Sequence, residues 1–178
     1  LHCLASGTAL AGERHALLVG VGELPALPRA AWLAGPVNDV AAMRAALRQQ
    51  GFAERHIASL ADGGAADTAP TRAAILAHLA RLEKTLGKDD VLLLYWSGHS
   101  VLAPGYPGAV AQGQRTRLLT RDSRIGPSKR LDGGIGSAEL GRAIDALSAR
   151  QVQVVAVFDT CHAAAGTQQY YQNLARMG

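Results

Sequence analysis

Two side chains in this sequence can do chemistry together if the fold brings them together. They are His99, in Tyr95-Trp96-Ser97-Gly98-His99-Ser100, and Cys161, in Asp159-Thr160-Cys161-His162. A thiol becomes a strong nucleophile once a base takes its proton, and an imidazole that titrates near neutrality suits that task. Taken singly, each has a plainer reading: a cysteine is more often a small buried hydrophobe, and a lone histidine is more often an ordinary core or surface residue. Placement raises the pair above those readings, because each follows an apolar run, three residues beyond Trp96 and Phe158 respectively. A metal site is the chemical rival, since Asp39, His99, Cys161 and His162 include enough ligand types. Their spacing matches no zinc pattern and adjacent Cys161 and His162 side chains would point apart, so no metal is expected. His2, His15, His56 and His78 read as ordinary.

The elements that must position the pair follow from periodicity. Val91 to Tyr95 is too short to cross a membrane and too continuous for a half-exposed strand, so it reads as a strand covered on both faces that stops at Ser97-Gly98. His15 to Val21 is a first strand, followed by a loop from Gly22 to Gly35. Pro36 then sits where a helix start tolerates it, with Val40, Met43 and Leu47 at helical spacing and Gly51 as a stop. Ile57 to Leu60 is a short strand, and Ala61 to Ala69 a loop. Thr71 is placed to cap a helix with Ile75, Leu79, Leu82 and Leu86 on one face. Val101 to Gly136 is a long basic loop with a candidate strand at Leu118-Leu119. Ser137 is placed to cap a third helix, and Gln151 to Phe158 is the last strand. Alternating strands and helices predict an α/β fold, a three-layer sandwich around a mainly parallel sheet. Ligands and chemistry collect at the carboxyl ends of such strands, where Asp39, His99 and Cys161 all fall.

Bulk properties bound the rest. The 178 residues suffice for one domain with a real core, and 48% hydrophobic against 18% charged residues excludes a disordered chain. A net charge of +4 permits acidic partners, but with 4% aromatic residues and no basic stripe, nucleic-acid binding is not expected. No apolar run is long enough to span a membrane. Residues 1–12 read as an export-peptide remnant or a frayed arm, 13–166 as the domain, and 167–178 as a tail or linker. If the remnant reading holds, the protein works in the periplasm or is secreted; otherwise it is cytoplasmic.

The segments around the pair resemble a known family. Tyr-Trp-Ser-Gly-His-Ser around His99 is similar to the Tyr-x-Ser-Gly-His-Gly block of caspase-like cysteine peptidases (peptidase C14), and Asp-Thr-Cys-His-Ala-Ala around Cys161 to their Asp-Ser-Cys-His-Ser-Gly block. Leu33 to Asp39 resembles the Leu-x-Gly-Cys-x-Asn-Asp segment of the metacaspases and their bacterial relatives, the orthocaspases. Pro70-Thr71-Arg72 recurs where they carry it. The four matches cover most of Arg14 to Ala165.

The resemblance implies a caspase-like fold and a cysteine endopeptidase, a hydrolase made as a zymogen. Cys161 would be the nucleophile and His99 the general base, with the oxyanion held by the backbone N–H groups of Ser100 and Cys161. It further implies cleavage of peptides and proteins after Arg or Lys, in a pocket whose matching positions are Asp39, Ser97 and Asp159. This chain would be the large catalytic subunit, with a small subunit as its partner. Self-processing at Arg124, Arg130 or Arg176 would fit a junction between the two. No cofactor is required by this chemistry. Calcium activation, frequent in the family, is expected to be weak or unnecessary, because Asp122 and Asp132 are the available acidic residues. Two departures bear on activity: Ser100 stands where the family has glycine, which predicts backbone strain at the oxyanion donor, and Pro36 replaces a pocket cysteine. The alternative is a catalytically impaired caspase-like adaptor.

Overall fold

The computed structural model describes residues 12–63, 68–102, 116–127 and 131–163. In chain order the elements are β1 (Arg14–Gly20), α1 (Gly35–Gln49), β2 (Ile57–Ala61), α2 (Arg72–Thr85), β3 (Val91–Leu102), β4 (Thr116–Leu118), β5 (Arg124–Ile125), β6 (Leu131–Asp132), β7 (Ile135–Gly136), α3 (Ser137–Ala149) and β8 (Gln153–Ala163). A short 3-10 turn, Arg29–Ala31, lies in the loop before α1. Four strands run parallel in the order β2-β1-β3-β8, and β4 and β7 extend the sheet antiparallel; β5 and β6 form a separate hairpin.

The continuous apolar strands are explained by helices on both faces. Alternate residues of each central strand divide between two cores. Leu17 and Val19 of β1, Leu92, Leu94 and Trp96 of β3, and Leu60 of β2 pack with Ile75 and Leu79 of α2 and Leu140 and Leu147 of α3. Ala16, Leu18 and Tyr95 turn the other way, against Val40 and Leu47 of α1. The result is a helix–sheet–helix sandwich. Burying a side chain the size of these leucines contributes about 1.5–3 kcal/mol each. Helix starts follow local chemistry: Thr71 Oγ1 accepts from the Ala74 N–H at 3.3 Å, capping α2, and Pro36 lies in the first turn of α1 where its missing N–H costs nothing. Ser137, expected to cap α3, is instead its first helical residue, and Gly136 occupies the cap position without a side-chain bond.

The largest departure from expectation is the length of the two central strands. β3 does not stop at Ser97-Gly98; it runs on to Leu102, and β8 runs on to Ala163. The reason is pairing. β8 stays in parallel register with β3 through Val101↔Ala163, while β4 takes the opposite edge of Ser100 to Leu102 where β1 has ended. Backbone groups that would otherwise end the strand therefore find partners on both sides. The stretch after Val101, expected as a long loop with a candidate strand at Leu118-Leu119, contains four short strands among the described residues, and β4 overlaps that candidate. Among the described residues β8 pairs with β3 alone, and Val155 (49%), Val157 (38%) and Phe158 (44%) are unusually exposed for such side chains. No helix of the described residues is long and apolar enough to cross a membrane.

Candidate active site

β1 ends at Gly20, in register with Ser97, and two glycines shape what lies beyond. A Cβ at Gly20 would sit 2.6 Å from the Pro36 carbonyl oxygen and 2.7 Å from Val40 Cγ2, so only glycine lets the first turn of α1 rest on the strand end. Gly98 has φ near +153°, and a Cβ there would meet the Val21 carbonyl oxygen at 3.1 Å. It lets β3 pass the end of β1 and carry His99 past it.

His99 is anchored. Its Nε2 lies 2.9 Å from the carbonyl oxygen of Ala31. A carbonyl can only accept, so Nε2 carries the proton and, in the neutral ring, Nδ1 carries the lone pair. Burial pushes the ring below the usual histidine value of 6.5, with the Ala31 carbonyl pulling weakly the other way. The imidazole is thus neutral at pH 7, as a base must be.

The loop presenting Ala31 is itself pinned by a carboxylate. Asp62, with 1% of its side chain exposed, accepts from the backbone N–H groups of Gly22 and Glu23, both at 2.8 Å. Arg121 joins that carboxylate and also donates to Glu23 Oε2 at 2.6 Å. Leu33 N–H returns to the Gly22 carbonyl at 2.8 Å, closing the loop. Trp32 Nε1 donates to the Leu24 carbonyl at 3.0 Å, beneath the Arg29 guanidinium 4.0 Å from its ring. Arg121, part of the basic stretch, is therefore a structural tie.

Cys161 enters through the backbone. His99 and Cys161 are register partners on adjacent parallel strands, as are Trp96 and Phe158, and Ser97 and Asp159. Neighbouring strands lie about 4.8 Å apart, so the two backbone positions are side by side. They lie within their strands, not beyond them as the sequence led us to expect. Ser100 is in register with His162 on one side and Leu118 on the other. The strain predicted for it is absent: among the described residues the non-glycine positions with positive φ are Asp89 and Gln151.

The pocket residues also meet. Ser97 Oγ donates to Asp39 Oδ2 at 2.8 Å, joining α1 to β3 over Gly20. Asp159 lies beside Ser97 in register and is exposed. Tyr95 was missed: it is buried two residues before Ser97 on the same strand. Burial first, then the Asp39 and Asp159 carboxylates, hold its pKa above the usual 10. The available signal was parity, since residues 95, 97 and 99 of one strand share a face. Of the proposed processing sites, Arg124 is exposed on β5, in register with Asp132; Arg130 and Arg176 lie outside the described residues. Asp122 Oδ1 accepts from the first N–H of α2, at Arg72, at 2.9 Å.

This end of the sheet thus holds an oriented neutral imidazole, a cysteine in backbone register with it, and Asp39 and Asp159 beside Ser97, inside a helix–sheet–helix fold. Residues 14–168 match the family model for the metacaspase, peptidase C14 domain, and the chain belongs to that family. Among curated relatives, Metacaspase-1 of Emericella nidulans is 29% identical over 153 residues, covering 85% of this chain and 36% of that one. Metacaspase-1 of Mycosarcoma maydis is 27% identical over 156 residues, covering 87% and 37%. The chain therefore spans little more than a third of these fungal relatives. A crystal structure of a Geobacter sulfurreducens protein shares the fold, with a TM-score of 0.63 at 23% identity over 90% of this chain and 55% of that one.

Proposed function

We propose that this chain carries the nucleophile and base of a cysteine endopeptidase that cuts after Arg or Lys. The observation that carries the reading is the register pairing of His99 with Cys161 while Ala31 holds Nε2. With Nε2 donating to Ala31, the scheme assigns the Cys161 proton to Nδ1. The thiolate attacks the scissile carbonyl, and the imidazolium returns the proton to the leaving amine, help worth about 10²–10⁴-fold in rate. The backbone N–H groups of Ser100 and Cys161 are the oxyanion donors of this scheme. Asp39, which accepts from Ser97, and Asp159, in register with Ser97, favour a cationic side chain and repel an aspartate. The edge of β8 that no other described strand covers, with Val155 and Val157 exposed, is where the strands of a small subunit would add. No cofactor takes part in the scheme, and calcium is at most a weak activator, since Asp122 is already committed to α2.

The test is turnover of fluorogenic peptides ending in Arg, Lys or Asp, with and without calcium, by a chain that includes the downstream region, alongside Cys161→Ala. Cleavage of Arg and Lys peptides that the variant abolishes is the expected result. Preference for Asp would overturn the specificity, and no turnover of any peptide would point to a caspase-like adaptor.

A further inference from the structure

At the opposite end of the sheet, the sequence places residues that the peptidase reading does not use. Glu13, the residue before β1, continues its pairing through the Val91 N–H, which donates to the Glu13 carbonyl at 2.9 Å, and so lies two positions before His15 on the same face. Ala16 is in register with Ile57, which sets His56, the residue before β2, beside His15. The two imidazoles stack with centroids 4.2 Å apart and planes 16° from parallel. Glu13 Oε2 lies 3.5 Å from His15 Nε2 and 3.6 Å from His56 Nε2. Asp90 stands behind, with Oδ1 accepting the Glu13 N–H at 2.8 Å and Oδ2 the Gly87 N–H at 2.9 Å, so the end of β1 is held in place. His15 is in register with Leu92, seven residues before His99, which puts the cluster about 23 Å along the sheet from the candidate dyad.

We propose that Glu13, His15 and His56 form a site for a divalent transition metal of the zinc type, stapling the amino-terminal ends of β1 and β2 to each other. The spacing supports it. Zinc binds imidazole nitrogen and carboxylate oxygen at about 2.0–2.2 Å, so two ligand atoms on one tetrahedral ion lie about 3.4 Å apart. Both carboxylate–imidazole separations are close to that edge before any side chain moves. The donor set, two imidazoles and one carboxylate, suits zinc and its neighbours better than calcium or magnesium, which take oxygen ligands. Each imidazole keeps 16% of its side-chain surface and Glu13 keeps 60%, so an ion can enter and a water can complete the shell. Stacked rings point their lone pairs side by side, so binding requires both rings to turn about the soft terminal torsion until they converge. The metal-bound form therefore loses the stack.

The proposal is tested on the whole, tag-free chain in a Cys3→Ser/Cys161→Ala background, so that no thiolate competes. Zinc is titrated by equilibrium dialysis, and the imidazole ring protons are followed by NMR. The expected result is one equivalent bound, with the ring signals of His15 and His56 shifting together and those of His78 and His99 unmoved. His15→Asn, His56→Gln and Glu13→Gln, each shown folded by circular dichroism, should weaken binding by more than the roughly 10–100-fold typical of outer-shell partners. Zinc should also raise the Tm of the background protein but not of these variants. Binding that all three variants leave intact would overturn the proposal, as would no saturable zinc binding by the background protein, or zinc-induced shifts confined to His78 and His99.

Discussion

Gly20→Ala tests whether the pocket depends on the close seat of α1 on the sheet. The added methyl would lie 2.6 Å from the Pro36 carbonyl oxygen and 2.7 Å from Val40 Cγ2, where ordinary contact begins near 3.4 Å. One of these obstacles is backbone, so the first turn of α1 must lift by about 0.8 Å to relieve the contact. Asp39 rides on that turn, and its 2.8 Å bond from Ser97 would open to about 3.6 Å, no longer a hydrogen bond. Overpacking of this kind costs about 1–3 kcal/mol, which for a domain of this size lowers Tm by roughly 2–4 °C per kcal/mol. In the peptidase assay the variant should raise KM for Arg and Lys peptides by about 10-fold, one hydrogen bond's worth of binding. It should change kcat much less, because β3, β8 and the Ala31 loop stay in place. A Gly20→Ala protein with wild-type Tm would refute the packing argument. One with reduced Tm but unchanged KM would refute the role of Asp39 in binding the cation.

Asp62→Ala should cost about 2–4 kcal/mol by urea denaturation, since it strips the Gly22 and Glu23 N–H groups of a charged, buried acceptor; Arg121, partly exposed and still paired with Glu23, adds little. Its activity should fall mainly in kcat, because the loop that presents Ala31 to His99 loosens, and an unchanged kcat in a folded variant would argue against that anchor. The His99 ring, whose pKa burial depresses below 6.5, is protonated more readily in the unfolded chain. It therefore contributes stability that is complete above pH 6.5 and lost as pH falls through the folded value. Denaturation free energy measured downward from pH 7 should fall more steeply for the wild type than for His99→Gln, and parallel curves would contradict the buried neutral ring.

The elements, their order and the residues worth testing were legible in the sequence, because apolar periodicity and helix starts are local. Val91 to Tyr95 could only be a two-sided strand, Thr71 was a cap before any fold was drawn, and four short blocks pointed to the metacaspase family. Other features required the tertiary structure, because they depend on which backbones become neighbours. That β3 continues past Gly98 is decided by β4 and β8, whose pairing offers hydrogen bonds no local signal could reveal. That His99 bonds to Ala31, far away in sequence, follows from a loop pinned by Asp62 and Arg121. Ser100 looked strained by comparison with glycine but lies in ordinary strand. His15 and His56 read as unremarkable singly; a single step of β1–β2 register, which no sequence pattern states, places them against one carboxylate.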